Sequence, residues 1–206
     1  MIKNLIPIIS EKLKEEIEFS KPLSGGSISS AYLINTTKSK YFLKVNSASN
    51  ALKMFHEEQR GLNAIKSTGT IAVPDVHFVD LFDKKAFILM DYIDSKRPDT
   101  SDYIRLGTEV ANMHQIINSD FGFSTDNFIG NLTQRNKKHT NWSDFYWSER
   151  ISPQLQIALK EGLLSFKEVP SKEQFSELIV SIASDVKPSL LHGDLWGGNY
   201  LISMDG

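Results

Sequence analysis

An aspartate and an asparagine on one short loop constrain the fold of this chain more than any other feature. They lie in the segment 190–202, which reads Leu-Leu-His-Gly-Asp-Leu-Trp-Gly-Gly-Asn-Tyr-Leu-Ile. Asp194 precedes Asn199 by five positions, and apolar runs of the kind found in strands flank the two residues. Because Gly, Asp and Asn are also the residues that turns require, a surface turn is the alternative interpretation of this segment.

The spacing of Asp194 and Asn199 is that of the catalytic loop of kinases. In such loops the Asp takes the proton of the acceptor hydroxyl, and the Asn ligates a magnesium ion. The chemistry needs both groups on one loop because they serve the same phosphoryl transfer. The pattern therefore predicts Asp194 as a general base and Asn199 as a metal ligand.

Hydrophobic periodicity divides the chain into two parts. A polar connection, Ile93–Pro98, separates them, and we place the boundary between 1–94 and 95–206. In the first part we predict a short helix within 2–16, strands at 18–23, 31–34, 41–45, 76–81 and 86–92, and a helix at 50–66 that stops at Gly69. In the second part we predict a solvated basic loop at 135–141 and helices at 103–117, capped by Thr100 or Ser101, at about 150–162 and at about 171–184.

A loop of small residues joins the first two predicted strands. It reads Ser24-Gly25-Gly26-Ser27-Ile28-Ser29-Ser30. Backbone with so little side-chain bulk can close over the oxygens of a triphosphate. Gly and Ser pairs also fill ordinary hairpins, so a plain turn is the alternative, and the position of the loop in the chain is what favours phosphate binding.

Two charged residues of the first part stand in apolar surroundings. Lys44 lies inside the apolar run Tyr41–Val45, and Glu58 shares the apolar face of its helix, whereas Glu57 points elsewhere. An inward carboxylate needs a partner, and Lys44 is the candidate. A Lys-Glu pair that positions nucleotide phosphates is the arrangement that kinases use. The alternative is two unrelated surface charges.

The order of these features along the chain strengthens the kinase interpretation. Glycine loop, strand lysine, helix glutamate, apolar strand and Asp–Asn loop follow one another as they do in kinases. At the end of the apolar strand, Met90, Asp91, Tyr92 and Ile93 would present backbone carbonyl and amide groups to the edge of an adenine. A simple buried strand is compatible with the same residues.

Composition disfavours several other classes of protein. The 206 residues carry a formal net charge of −2, which gives no electrostatic reason to expect a nucleic acid or an anionic membrane as partner. No apolar run approaches the roughly 20 residues that span a bilayer, and no signal-peptide region opens the chain. The sequence has no cysteine, which excludes disulfides and fits a reducing interior, so we expect a cytoplasmic protein.

The signature residues resemble the fructosamine (ketosamine) kinase family, which shares the protein-kinase-like fold with aminoglycoside phosphotransferases. The resemblance covers the whole chain. It is carried by His192-Gly193-Asp194-Leu195-Trp196-Gly197-Gly198-Asn199, where Trp196 takes the place of the His common in aminoglycoside phosphotransferases. A second set of matching residues comprises Phe121-Gly122-Phe123, Asp126-Asn127-Phe128-Ile129-Gly130, Gln134, Asn136, Trp142, Phe145, Arg150 and Pro153-Gln154.

The resemblance implies a two-lobe α+β fold, with an antiparallel-sheet N-lobe that has one helix and a mainly helical C-lobe. It also implies phosphorylation, with ATP and Mg²⁺, of the 3-hydroxyl of a small-molecule or protein-bound ketosamine such as a fructosamine or ribulosamine, a repair step for glycated amines. Under this resemblance Asp194 is the base, Asn199 the magnesium ligand, and His192 and Trp196 lie on the substrate side. The nucleotide-binding residues would be Gly25, Gly26, Ser27, Lys44, Glu58, Met90, Asp91, Tyr92 and Ile93.

Two alternatives stay open at this point. Family members continue into a strand with a second metal-binding Asp, whereas this sequence ends after Asp205-Gly206, which reads as a hairpin turn. We therefore expect a truncated C-lobe, and a noncatalytic nucleotide-binding fragment is one alternative. An aminoglycoside-type hydroxyl phosphotransferase is the other. The sequence predicts neither the amine carrier nor the oligomeric state.

Overall fold

The computed structural model describes residues 2–24 and 29–204, and the N-terminal part of the chain is organised around one antiparallel sheet. Its strands β1 to β5 are Ile17–Leu23, Ser30–Thr36, Lys40–Asn46, Val76–Phe82 and Lys85–Asp91. They pair in the order β1-β2-β3-β5-β4. The accompanying helices are a 3₁₀ turn at Ile2–Asn4, α1 at Ile6–Leu13 and α2 at Ala51–Thr68. The predicted five-stranded antiparallel sheet is confirmed.

The strand β5 is buried on both faces of the sheet. Residues 86–90 are each at most 5% exposed. Because successive strand side chains point to opposite faces, Phe87 and Leu89 join a core cluster with Ile9 of α1. The intervening side chains join a second cluster with Phe55 of α2. One helix therefore covers each face of the sheet, and the segment that leads into the predicted adenine site is held from both sides.

The residues that cap the C-terminal ends of α1 and α2 adopt the left-handed backbone conformation. The predicted stop of α2 at Gly69 is confirmed, because Gly69 has a φ of 64° and its amide donates to the carbonyl of Lys66. Glycine adopts this φ without a steric penalty. The first helix is shorter than the span 2–16 and ends at Leu13, and Lys14, which caps it, has a φ of 55°.

The helix α3 spans Thr100–His114, and its N-terminal cap is Asp99. The carboxylate of Asp99 accepts from the amide of Asp102 at 3.0 Å, and that of Asp102 accepts from the amide of Asp99 at 3.0 Å. The prediction of Thr100 or Ser101 as the cap is wrong, because both residues lie in the first helical turn. The predicted extension of the helix to residue 117 is also wrong, because Ile117 forms a β-bridge with Ser189.

The chain forms two compact units, and one of them combines two separate stretches of the sequence. Residues up to Val110 and those from His192 onward form one unit, here called the sheet unit, and Ala111–Leu191 form the middle unit. The loop with Asp194 therefore belongs to the same unit as the sheet. The lobe boundary between residues 94 and 95 stays a prediction.

The middle unit is largely helical. Its elements are a hairpin of β6 (Asn127–Ile129) and β7 (Leu132–Gln134), then α4 (Trp142–Tyr146), a π-helical turn (Trp147–Ile151), α5 (Ser152–Lys160), a 3₁₀ turn (Phe166–Glu168) and α6 (Lys172–Ile182). Helices near 150–162 and 171–184 were predicted. The start at Trp142 was not, although Asn141 caps it by accepting from the amide of Asp144.

A buried hydrogen-bonded frame organises the middle unit around Asn136, which is 4% exposed. Its side-chain nitrogen donates to the carbonyl of Thr125 and to Oδ1 of Asn127, and its Oδ1 accepts from Arg150 at 2.6 Å. The guanidinium of Arg150 also lies over the Phe145 ring, 4.7 Å from its centroid. Burial lowers the pKa of Arg150. The loop at 135–141, predicted to be solvated, is mostly exposed, and the prediction is wrong at Asn136.

Within the described part of the chain, no helix is both long enough and apolar enough to cross a membrane. The longest described helix, α2, has 18 residues and a strongly polar face.

Candidate active site

Asp194 and Asn199 are brought together by direct hydrogen bonds. The side-chain nitrogen of Asn199 donates to Oδ2 of Asp194 at 3.0 Å and to its backbone carbonyl at 2.8 Å. Both residues lie on the exposed loop 192–199 of the sheet unit. The two residues predicted to carry the chemistry thus form one local pair in which a carboxylate and an amide oxygen are presented side by side.

Two further residues of the loop were assigned to the substrate side. The amide of Asp194 donates to Nδ1 of His192 at 3.3 Å, so the imidazole is turned back onto the loop backbone. Trp196 is 62% exposed, although tryptophan is usually well buried. Its carbonyl accepts from the amide of Asn199 at 2.8 Å, which closes a turn inside the loop. Substrate contact by His192 and Trp196 stays a prediction.

Lys44 and Glu58 form the ion pair that the sequence predicts. Nζ of Lys44 lies 2.7 Å from Oε1 and 2.9 Å from Oε2 of Glu58. Lys44 is in β3 and Glu58 is in α2, and their side chains are 30% and 32% exposed. The pair therefore links the sheet to the helix that covers it, and about a third of each side chain remains exposed.

The carboxylate buried most deeply on α2 belongs to Glu57. Its side chain is 7% exposed and lies 3.3 Å from Arg60, whereas the Glu58 side chain is 32% exposed. The sequence pattern singled out Glu58 as the inward carboxylate. In the structure both glutamates are at least half-buried, and Glu57 contacts Arg60 whereas Glu58 contacts Lys44. The apolar stripe of the helix therefore predicted the Lys44–Glu58 pair correctly and did not identify Glu57 as a second buried carboxylate.

The segment 90–93, predicted to contact adenine, has part of its backbone engaged elsewhere. The amide of Asp91 donates to the carbonyl of Asp75, and the amide of Tyr92 donates to that of Lys40. The carboxylate of Asp91 accepts from His77 at 2.8 Å and is thus turned toward β4. Any adenine contact from this segment must come from its other backbone groups, among them the amide of Ile93.

A cavity of about 550 Å³ borders this segment on the side of the β2–β3 turn. Its walls include Lys38, Lys40, His77, Asp91 and Asp94. Adenine is bound between apolar side chains with a few polar groups at its edge, whereas four of the nine residues that line this cavity are charged. We therefore do not assign the adenine to this cavity.

Sequence reasoning missed how the end of the catalytic loop is anchored. The strand-like residues after Asn199 return to the polar connection, where the backbone amide of Lys96 donates to the carbonyl of Ile202 and that of Met204 donates to the carbonyl of Asp94. A hydrogen bond with Tyr103 of α3 raises the pKa of Tyr200. These contacts join residues about a hundred positions apart in the sequence, so no local sequence pattern predicts them.

The donor set of the loop fits a magnesium ion shared with a nucleotide. Asn199 donates its side-chain nitrogen to Asp194, so Oδ1 is the atom of this side chain that could bind a metal ion. Mg²⁺ prefers oxygen ligands and is usually held by one or two protein groups together with phosphates and water. Among the described residues no group of three or more His, Asp or Glu could hold a metal by itself. The glycine-loop residues Gly25, Gly26 and Ser27, and Asp205 with Gly206, lie outside the described residues.

Comparisons with known proteins identify the family of this chain and agree with its fold. The sequence model of the family described as fructosamine kinase matches residues 1–206, and the chain belongs to this family. A probable ketoamine kinase of Vibrio parahaemolyticus is 34% identical over 208 residues, which cover 96% of this chain and 70% of that protein. The ketosamine-3-kinase of Mus musculus is 32% identical over 85% of this chain and 65% of that protein.

Among solved structures, a candidate fructosamine-3-kinase from Haemophilus somnus superimposes with a TM-score of 0.82. It is 26% identical, and the match covers 98% of this chain and 68% of that chain. The predicted kinase-like α+β fold is confirmed, and the chain is an enzyme of the phosphotransferase class.

Proposed function

We propose that this protein transfers the γ-phosphoryl group of ATP to the 3-hydroxyl of a ketosamine, a 1-amino-2-ketose formed when a sugar glycates an amine. The observation that carries the proposal is the hydrogen-bonded pair of Asp194 and Asn199, which stands in the same unit as the ion pair of Lys44 and Glu58. Membership of the fructosamine kinase family supports the choice of acceptor. The acceptor is either a free ketosamine or one carried on a protein side chain.

Asp194 is proposed as the general base. Its Oδ2 accepts from Asn199, so Oδ1 is the oxygen that takes the proton of the acceptor hydroxyl. The hydroxyl oxygen then forms a bond to the γ-phosphorus, and the bond from that phosphorus to the β–γ bridging oxygen breaks. ADP leaves with the electron pair, the product keeps the phosphoryl group, and Asp194 returns its proton to solvent.

The nucleotide is proposed to lie against the sheet. Lys44 pairs with the phosphates as a point charge, and Glu58 fixes the position of its ammonium group. We assign the loop residues Gly25, Gly26 and Ser27 to the triphosphate, and the segment 90–93 to the adenine edge. The loop carries almost no side-chain bulk, so its backbone can approach the phosphate oxygens closely.

Mg²⁺ is proposed to be held by Oδ1 of Asn199 together with the phosphates. When bound, the ion neutralises the charge that develops on the transferring phosphoryl group. The hydrogen bond to Asp194 orients the Asn199 amide and thereby decides which of its atoms faces the ion. His192 and Trp196 are proposed to border the acceptor, and the lobe boundary is proposed to fall between residues 94 and 95.

The test incubates the full-length protein with ATP, Mg²⁺ and either a synthetic ribulosamine or a fructosamine, with kanamycin as the competing acceptor. We expect the ketosamines to gain one phosphoryl group, with a phosphorus–proton NMR coupling at carbon 3 of the sugar. Kanamycin should remain unmodified. Phosphorylation of kanamycin alone, or of neither class, would contradict the proposal.

A further inference from the structure

The indole ring of Trp196 lies directly over Gly198. An ideal Cβ built on Gly198 would stand 2.5 Å from Cη2, 2.6 Å from Cζ2 and 2.9 Å from Cζ3 of that ring. Such distances are too short for a real Cβ, so only a glycine at this position permits the observed orientation of the ring. The φ of Gly198 is outside the left-handed region. The requirement for glycine therefore comes from the close approach of the ring and not from the backbone.

The preceding residue, Gly197, has no such constraint. A Cβ on Gly197 meets no heavy atom of the described residues within 4 Å. The two glycines occupy the centre of the turn that the amide of Asn199 closes on the carbonyl of Trp196. They are therefore adjacent and share one turn, and they differ in whether a methyl group would strike the indole.

We propose that Gly198 is a positioning residue, which seats the indole of Trp196 so that one of its faces is open to the acceptor. The inference rests on the proposed function and deepens it. One face of the ring is against the backbone of Gly198, yet the tryptophan as a whole is 62% exposed, so its opposite face is accessible. A flat aromatic face offers apolar contact area to the C–H face of a polyhydroxylated chain.

The contact with Gly198 also fixes the position of the indole ring relative to the proposed base, Asp194. The same six-residue stretch holds Asp194, Trp196, Gly198 and Asn199, and two hydrogen bonds tie Asn199 to Asp194. An acceptor that stacks on the indole is thereby placed beside the carboxylate. Moving the ring changes where the acceptor lies and leaves the Asp194–Asn199 pair in place, so the effect should fall on acceptor binding and not on the nucleotide.

The variant Gly198→Ala should fold normally. The new methyl group would meet the end of a side chain and not backbone, so the clash is relieved when the indole swings away. Gly197→Ala is the matched control, since it adds the same methyl group one residue away in open space. Both variants lose a glycine from the same turn, so any difference between them reports on the indole.

The first readout needs no turnover. The full-length protein is labelled with 5-fluorotryptophan, and Trp196→Phe identifies the fluorine resonance of Trp196. We expect Gly198→Ala to shift that resonance and Gly197→Ala to leave it in place. Titration with a ribulosamine should shift it in the wild-type protein and in Gly197→Ala, at acceptor concentrations that give no shift in Gly198→Ala.

The second readout is a kinetic cycle with ATP, Mg²⁺ and the same ribulosamine. We expect Gly198→Ala to raise the acceptor KM about five- to tenfold, on the order of one aromatic contact, while the KM for ATP stays unchanged. In a Trp196→Ala background, Gly198→Ala should have no further effect on the acceptor KM, because the ring that it displaces is gone.

These outcomes separate the inference from the proposed function. An unmoved fluorine resonance in Gly198→Ala, or an equal loss from Gly198→Ala with and without the indole, overturns the positioning role. An acceptor-dependent shift without turnover keeps the positioning role and contradicts the kinase reaction. A resonance that moves in Gly198→Ala but never responds to ribulosamine in the wild-type protein overturns the inference, since the open face then does not meet this acceptor.

Discussion

Lys44 donates to both carboxylate oxygens of Glu58, with Nζ 2.7 Å from Oε1 and 2.9 Å from Oε2. The two residues are 14 positions apart and come from a strand and a helix. Both side chains are about one-third exposed, so solvent screens the pair and its contribution to stability is small. Under the proposed function the role of the pair is geometric, since Glu58 would hold the Lys44 ammonium group in place for the nucleotide phosphates.

We predict that Lys44→Ala and Glu58→Ala each raise the KM for ATP, and that the double variant costs less than the sum of the two. The shared interaction should appear as a coupling energy of about 0.5 to 3 kcal/mol in a double-mutant cycle. Lys12→Ala is the control, because Lys12 pairs with Asp80 at 2.6 Å on a strand without predicted nucleotide contacts. Strict additivity of the Lys44 and Glu58 effects would show that the pair does not act as a unit.

The local parts of this fold could be predicted from the sequence. The buried strand β5 and the stop of α2 at Gly69 follow from a continuous apolar run and from the φ that glycine allows. The partnership of Lys44 and Glu58 followed from a lysine in an apolar strand and a carboxylate on an apolar helical face. For the strand and the helix stop, a few neighbouring residues contain the whole physical reason, and the ion pair could be predicted because each of its residues stands out in its own apolar surroundings.

The features that were missed depend on partners distant in sequence or on competition between similar groups. Thr100, Ser101 and Asp99 all offer side-chain oxygens, and only the reciprocal bonds between Asp99 and Asp102 select the cap. Asn136 is a polar residue in a basic stretch, and its side chain is held by two other segments, at Thr125–Asn127 and at Arg150. The bonds of residues 202 and 204 to the polar connection are of the same long-range kind.

We predict that Gly122→Ala strongly destabilises the protein. Gly122 has a φ of 121°, and a Cβ there would stand 2.7 Å from the carbonyl oxygen of Asn136 and 2.9 Å from that of Lys137. Both obstacles are backbone atoms, so strain and overpacking together should cost about 2 to 4 kcal/mol. Thermal unfolding followed by circular dichroism measures the loss.

The control for Gly122→Ala is Gly61→Ala in α2. A Cβ on Gly61 has no heavy atom of the described residues within 4 Å. Alanine in a helix interior is favoured over glycine by about 0.5 to 1 kcal/mol, so Gly61→Ala should raise the melting temperature. Equal melting temperatures for the two variants would contradict the account of Gly122.

We predict that Asp102 makes the protein more sensitive to acid. The backbone hydrogen bond from Asp99 lowers the pKa of Asp102, and Lys96, 3.0 Å away, lowers it further. A carboxyl whose pKa is lower in the folded state contributes stability above its unfolded pKa, and that contribution is lost as pH falls toward the folded pKa. Urea unfolding between pH 7 and about pH 3 should show the loss below about pH 4.

Asp102→Asn should lower stability at pH 7 and flatten its decline in acid, because the ionisable group is gone. Asp185→Asn, which removes a carboxylate from an exposed loop, serves as the charge-matched control. If Asp102→Asn and the wild-type protein lose stability in parallel below pH 4, Asp102 is not the source of the acid sensitivity.

The most direct test of the central claim is the turnover of Asp194→Asn in the full-length protein. The substitution keeps the shape of the side chain and removes its capacity as a base, and general base catalysis contributes about 10² to 10⁴ in rate. We predict that kcat for ribulosamine phosphorylation falls by at least about that factor, whereas the dissociation constant of ATP, measured by calorimetry, stays within about twofold. Near-normal turnover by Asp194→Asn would contradict the assignment of the catalytic loop.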